Sequence, residues 1–406
     1  MVGFCVSHQD NTKTSKAVHG EDTPMINKDR LSKSFCDLVK IDSISREEKT
    51  ISEYLQVILK ELGAEIYIDK AGDAVGGDTG NLVAKFKGTV DAPAMMLCGH
   101  MDTVEPGRGI VPVFENGVFT SKGNTILGAD DKSALAIIIE VMNVIRENTL
   151  PHGPIEVVFT ICEEIGLLGA KHFDFSLMDS SFGYILDSTD RKGIVTRAPY
   201  STHFDITVLG KAAHAGAEPE KGVSAILLAA KALASVPWGR IDPQTTCNVG
   251  KISGGVATNI VAEEARVTGE VRSHSKQKMD DIVSGIRAAF ETVINEAVKN
   301  SPAPGRPQFD MAADLDFPGT HIPDDHPVIR LAVDAAKSMG IDLQTKTSGG
   351  GADANIFTGK GLITGVLGTG MTAAHTLEES IALDDMVNTT TLLLACIRRH
   401  SEAYSA

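Results

Sequence analysis

The run Leu97-Cys98-Gly99-His100-Met101-Asp102-Thr103-Val104 sets the strongest condition on the fold: a short apolar strand that ends in a histidine and, one residue further on, an aspartate. Side chains on a strand alternate between faces, so His100 and Asp102 point the same way, with Cα atoms roughly 6–7 Å apart. At the mouth of a parallel sheet, where strand ends open into a crevice, this pair suits metal binding, one group coordinating and the other orienting it. A lone His-x-Asp is more often a surface histidine near a strand end. The rest of the chain has to decide between the two.

Apolar spacing over 28–61 is helical, and Ser43-Ile44-Ser45-Arg46-Glu47-Glu48 within it offers a cap for a second helix. Strand-like runs follow over 65–69, 81–86 and 94–98, then a helix over 133–146 that is apolar almost all round, and further strands over 155–162 and 183–187. Strands alternating with helices predict an α/β layer with a largely parallel sheet. Near residue 200 the pattern changes to clean alternation over 202–209, as in a sheet with one wet face. A helix over 222–236, strands near 246–252 and 265–273, a long helix over 276–299 and an alternating run near 308–316 complete an α+β unit. Helices over 327–339 and near 383–400 restore the first character. The expectation is a discontinuous catalytic domain, 25–199 with 320–406, interrupted by an inserted α+β domain over 200–319.

A chain of 406 residues is too long for one hydrophobic core, which fits two units. Its net charge of −15, spread along the chain, excludes nucleic acid as a natural partner, because phosphates need a basic face. The six cysteines, Cys5, Cys36, Cys98, Cys162, Cys247 and Cys396, show no C-x-x-C spacing and read as thiols in a reducing compartment. No apolar run reaches the length of a membrane span. Residues 1–24 are polar without the apolar segment of a signal peptide, and are expected to be a disordered tail in a cytoplasmic protein.

Four more groups of chemistry-bearing residues lie at element ends. Asp130-Asp131 stands just ahead of the buried helix, either capping it or placing one carboxylate between two cations. Glu163-Glu164 comes directly off an apolar strand, where paired like charges are costly unless a cation or proton intervenes. Asp187 closes the strand over 183–187, as a turn residue or a ligand. His375 lies in a loop, where most histidines are not ligands. Together with His100 and Asp102 they form a set of oxygen and nitrogen donors without cysteine, suited to two zinc-like divalent ions bridged by one carboxylate, with a spare glutamate to activate water.

These motifs, in this order around an inserted domain, resemble the M20 metallopeptidases and within them the peptidase T-like branch. Gly99-His100-Met101-Asp102-Thr103-Val104 is similar to the family's first metal motif and Leu127-Gly128-Ala129-Asp130-Asp131-Lys132-Ser133 to its second. The resemblance, which runs from about Met25 to the C-terminus, implies a zinc-exopeptidase-type catalytic domain with a mixed, largely parallel sheet, and a lid and dimerisation domain inserted in it. It implies two Zn2+ per subunit, with Co2+ or Mn2+ as substitutes: His100, Asp130 and Asp187 on one ion, Asp130, Glu164 and His375 on the other. It casts Glu163 as general base, Asp102 as the carboxylate that orients His100, and the Asp130–Asp131 peptide as cis-like. In the inserted domain it makes His214 a group that reaches the partner subunit's active site, and Asn259 and Arg272 substrate contacts; a hairpin-turn histidine and an exposed strand arginine are the bland alternatives. The loop Ser348-Gly349-Gly350-Gly351-Ala352-Asp353 lacks the Lys-Ser/Thr ending of a phosphate loop, and the resemblance places it, with Gly350 and Asp353, along the substrate pocket.

The leading expectation is a di-zinc aminopeptidase acting on tripeptides as a homodimer. An N-acyl amino-acid deacylase or carboxypeptidase of the same family keeps the fold and metals and changes the bond. A metal-containing binding protein without turnover is a third reading, disfavoured because such a protein needs no Glu163.

Overall fold

The apolar spacing over 28–61 resolves into two helices, α1 (Lys28–Val39) and α2 (Lys49–Glu61). Each buries one stripe, Leu31, Phe35, Leu38 and Val39 in the first and Ile51, Leu55 and Leu59 in the second. The cap expected ahead of α2 is not formed. Glu48 occupies the N-cap position and makes no side-chain bond to the helix, because the side chains of Ser45 and Glu48 bond to Asp102 and Cys162 instead. The computed structural model describes residues 26–405, so the expected tail over 1–24 lies outside the described residues.

The chain continues through β1 (Glu65–Ile68), α3 (Ala71–Val75), β2 (Leu82–Phe86) and β3 (Met95–His100), then a hairpin, β4 (Pro112–Glu115) and β5 (Val118–Ser121), that the sequence pattern does not announce. The buried helix α4 (Ala129–Asn148), β6 (Ile155–Thr160), α5 (Leu168–Lys171), β7 (Phe182–Ile185) and β8 (Gly193–Ala198) follow. Next come β9 (Tyr200–Leu209), α6 (Ala225–Ala234), β10 (Gly239–Asp242), β11 (Thr245–Gly254), β12 (Glu264–Ser273), α7 (Lys276–Lys299) and β13 (Gln308–Phe317). The last stretch holds β14 (Thr320–His321), α8 (Pro327–Ser338), β15 (Gln344–Thr347), α9 (Asp353–Gly359), β16 (Ile363–Leu367), β17 (Ser380–Ala382) and α10 (Leu383–Glu402).

A mixed nine-stranded sheet runs β1-β2-β6-β3-β7-β16-β8-β14, with β15 against β8. Its centre is parallel: β3 pairs with β6 and β7, and β7 with β16. β3 and β6 are buried along their whole length, as strands covered on both faces must be. One large core, in which α1, α4 and α10 are prominent, packs against the sheet, and a smaller apolar cluster containing Phe173, Ile356 and Phe357 forms separately. The five-stranded antiparallel sheet, β10-β11-β12-β9-β13, has its own core with α6 and α7, built on Phe204, Val267, Ile286 and Phe290. Among the described residues no helix is long and apolar enough to cross a membrane.

Candidate metal centre

Four neighbouring parallel strands, β6, β3, β7 and β16, end on the same edge of the sheet, roughly 4.8 Å apart. His100 is the last residue of β3. Thr160 pairs with His100, so Glu163 and Glu164 start the turn just beyond it. Ile185 pairs with Cys98, which carries Asp187 level with His100 on the other side. His375 lies in the loop between β16 and β17, and Asp130 in the first turn of α4. The parallel arrangement gathers what the sequence scatters over 275 positions, at the place where open α/β sheets bind ligands.

Asp130 stands between the two histidines. Its Oδ1 lies 3.1 Å from His100 Nε2 and its Oδ2 lies 3.2 Å from His375 Nε2. His375 Nε2 is also 2.9 Å from Glu164 Oε1. Ligand atoms of His100, Asp130 and Glu164 lie within 4.8 Å of one another, as do those of His100, Glu163 and Asp187. Among the described residues the Glu163 carboxylate accepts no hydrogen bond. The Asp130–Asp131 peptide is cis. Asp131 turns inward, where its Oδ2 accepts the His100 N–H at 3.1 Å and its Oδ1 has no hydrogen-bond partner among the described residues.

The link between Asp102 and His100 differs from simple strand alternation, because β3 ends at His100 and Asp102 belongs to the turn. His100 Nδ1 lies 2.9 Å from the Asp102 carbonyl and 3.4 Å from its Oδ1. The carboxylate mostly serves the neighbouring turn: Oδ1 accepts the Glu163 N–H at 2.9 Å and Oδ2 the Glu164 N–H at 3.2 Å. Asp102 thus fixes His100 and the two glutamates together.

The electrostatics are those of a cation site. Burial, with Asp130 nearby, pushes the Asp187 carboxyl up to about 7. Burial and the charge of Asp187 push Glu163 well above the carboxylate range, and burial raises Glu164. Asp130 is also buried, yet its contacts with His100 and His375 hold it below its ordinary value. Hydrogen bonds to Asp130 and Glu164 raise His375 to about 10. Burial disfavours a charged His100, but Asp102 and Asp130 keep its pKa well above the usual imidazole value. Protons here do what a divalent ion would do better.

The remaining sequence candidates lie in two places. His214 is exposed, and its Nδ1 accepts the N–H groups of Gly216 at 3.2 Å and Ala217 at 3.1 Å. Its tautomer is therefore set, with Nε2 carrying the outward proton. Asn259 is exposed beside it, and its carbonyl accepts the Ala215 N–H at 2.9 Å. Arg272 forms a two-pronged pair with Glu270, Nε and Nη2 each 3.1 Å from an oxygen, and lies over the Phe317 ring. Gly350 lines a small cavity shared with Asp187, Arg197, Ser348 and Asn355. Asp353, by contrast, is 2% exposed, accepts the Thr160 hydroxyl at 2.6 Å and leaves Oδ1 without a hydrogen-bond partner among the described residues.

The family model described as Peptidase family M28 matches residues 81–194, and the one described as Peptidase dimerisation domain, of M20 type, matches residues 200–298. Over 374 residues the chain is 40% identical to the uncharacterized protein YqjE of Bacillus subtilis (strain 168), spanning 92% of this chain and 99% of that protein. Among solved structures, the aminopeptidase PepT from Bacillus cereus is 38% identical, with 92% of this chain and 99% of that one covered and a TM-score of 0.85. A tripeptidase from Staphylococcus aureus is 36% identical over 93% and 100%, with a TM-score of 0.87. The chain is a peptidase T-like member of the M20 metallopeptidase family. It is accordingly a hydrolase.

The donor chemistry of this M20 peptidase fits a divalent metal: two imidazoles and clustered carboxylates, with Cys98 and Cys162 buried as free thiols. The residue that holds the Asp130 turn escapes sequence reasoning. Glu379 is 1% exposed, and its carboxylate accepts the N–H groups of Leu127 and Gly128, both at 2.7 Å, and of Asp130 at 2.9 Å. It holds the turn that delivers Asp130. Its only sequence signal is a second acidic residue, Glu378, in the His375 loop, which by itself says nothing of three backbone amides some 250 positions away.

Proposed function

We propose that this M20 peptidase is a cytoplasmic di-zinc aminopeptidase that releases the N-terminal residue of short peptides, tripeptides above all. In this reading residues 25–199 and 320–406 are its catalytic domain and residues 200–319 its lid, through which two copies pair. The observation that carries the reading is Asp130, which gives one oxygen to each histidine while Glu163 stands beside them with its carboxylate unengaged. The full-length likeness to an aminopeptidase and a tripeptidase supports the choice of bond.

His100, Asp130 and Asp187 would hold one ion, and Asp130, Glu164 and His375 the other. Bound there, the two ions would lower the pKa of water and polarise the scissile carbonyl. Glu163 takes a proton from the attacking water and passes it to the leaving amine. Asp102 orients His100 and holds the turn of Glu163. His214 of one subunit donates from Nε2 to the oxyanion that develops in the site of the other. Arg272, helped by Asn259, grips the peptide carboxylate as a planar fork, for which it leaves Glu270. Gly350 leaves room for the peptide backbone. Asp353 acts from beneath, against Thr160.

The test is release of free amino acid from Ala-Ala-Ala and from its N-acetylated form, with the enzyme stripped by chelator and then given zinc. Zinc-restored cleavage of the free peptide alone is expected. Cleavage of the blocked form alone would move the reading to a deacylase or carboxypeptidase, and no cleavage of either would make the site a binding one.

A further inference from the structure

The connection between α1 and α2 has no part in the reaction as derived, yet it reaches both strand ends on which that reaction depends. Ser43 Oγ donates to the Met101 carbonyl at 2.8 Å, and the Thr103 N–H donates to the Ser43 carbonyl at 3.0 Å. Ser45 Oγ donates to Asp102 Oδ2 at 2.6 Å. Glu48 is fully buried, and its Oε1 accepts the Cys162 N–H at 2.9 Å and the Cys162 thiol at 3.3 Å. Asp102 accepts the next two amides, those of Glu163 and Glu164. Three consecutive N–H groups of the turn after β6 therefore point at two buried carboxylates. Residues 43–48 supply one of these and brace the other.

The turn needs such a hold. Cys162 has φ of +52°, a left-handed conformation that a side chain other than glycine adopts only where its surroundings impose it. The Glu48 contact lies on that residue and so sets the direction in which the chain leaves β6 toward Glu163 and Glu164. Packing does not account for a carboxylate here. Among the described residues its Oε2 has no hydrogen-bond partner, and an apolar side chain would fill the space at less cost. Capping does not account for it either, since the Glu48 side chain makes no bond to α2.

We propose that residues 43–48 are a clasp on the floor of the active site, with Glu48 and Ser45 as positioning residues that act through the Cys162 amide and Asp102 on Glu163 and Glu164. The proposal rests on Glu163 as the base and Glu164 as a ligand.

The test compares Glu48→Ala, Glu48→Gln, Ser45→Ala and Glu163→Gln with the parent, each as the full chain loaded with zinc, on Ala-Ala-Ala. Glutamine keeps an oxygen for the Cys162 amide. Glu48→Ala is expected to lower kcat about tenfold or more with KM within about twofold, while Glu48→Gln stays within about threefold of the parent. A parent-like kcat in Glu48→Ala overturns the clasp. Equal losses in the alanine and glutamine variants overturn it too, because charge or packing would then matter rather than the amide contact. Should Glu48→Ala fail to fold, Ser45→Ala decides: a fall in kcat of about threefold or more at constant KM is expected, and a parent-like kcat sinks the proposal. An active Glu163→Gln removes the base and the clasp together. An inactive Glu163→Gln beside a parent-like Glu48→Ala removes the clasp alone.

Discussion

At the scale of single residues, the decisive group is Glu163, whose carboxylate pairs with neither histidine and accepts no hydrogen bond among the described residues. Glu163→Gln keeps the size of the side chain and removes the basic oxygen. It is expected to retain metal, measured as metal content per chain, and to lose a factor of about 10²–10⁴ in kcat. Parent-like turnover would take Glu163 out of the base role. His100, Glu164 and Asp187 stood out because each comes at or just past the end of an apolar strand, and Asp130 because it opens the buried helix, whereas His375, in a loop, gained weight only beside the others. Glu48 and Glu379 were not readable. Each is the second of two adjacent glutamates, with backbone N–H groups as partners, 114 positions away for Glu48 and 249–252 away for Glu379. A carboxylate that accepts amides leaves no spacing pattern, since any sequence supplies amides; only the fold reveals the pairing.

At the scale of elements, the N-terminal turn of α4 shows how one loop governs another. Gly128 has φ of +73° at the start of the helix, and Glu379 from the His375 loop takes up the free N–H groups of Leu127, Gly128 and Asp130. The loop that carries one histidine therefore also places the carboxylate between both histidines. In Glu379→Gln one oxygen becomes an NH2 group facing backbone N–H donors, so at least one buried donor loses its acceptor, at about 1–3 kcal/mol. The variant is expected to bind zinc about 10–100-fold more weakly in competition with a chelator, and to show the lower kcat that goes with a displaced Asp130. Unchanged zinc affinity would make Glu379 a structural cap with no bearing on the metal. The elements themselves were mostly readable from periodicity, α7 over its full length among them. The β4–β5 hairpin was missed because its four-residue strands are partly exposed and carry little pattern, and α9 because it starts in a glycine-rich loop.

For the whole molecule, the proposed lid, the proposed dimer and the metal centre are tested together. If His214 serves the site of the other subunit, mixing His214→Ala with Glu163→Gln and allowing subunits to exchange should restore activity to about a quarter of the parent's, because half the dimers are hybrids with one complete site each. Two inactive parents that stay inactive after verified exchange would confine His214 to its own turn. Metal removal gives a second whole-molecule test, through pH. In the cluster without a cation, Asp187 holds its proton up to about 7 against 3.8 for the free side chain, and His375 up to about 10 against 6.5. Between each pair of values the folded chain binds a proton that the unfolded chain has released, so folding stability falls as pH rises. Asp187 acts from about pH 4 to 7 and His375 from about 6.5 to 10, with Glu163 and Glu164 adding in the same direction. Asp130, held low, acts the other way only below its ordinary value. Glu48, raised to about 7 by burial and Asp102, and the net charge of −15 lower stability in the same direction with or without metal, so the difference between the two forms isolates the cluster. The gap in Tm between zinc-loaded and chelator-stripped protein should therefore widen steadily from pH 5 to pH 8, and zinc uptake at neutral pH should release protons, read as a dependence of binding heat on buffer ionisation enthalpy. A gap that stays constant over that range, with no proton release, would mean that these residues do not share protons in place of metal, and that the cation is held elsewhere.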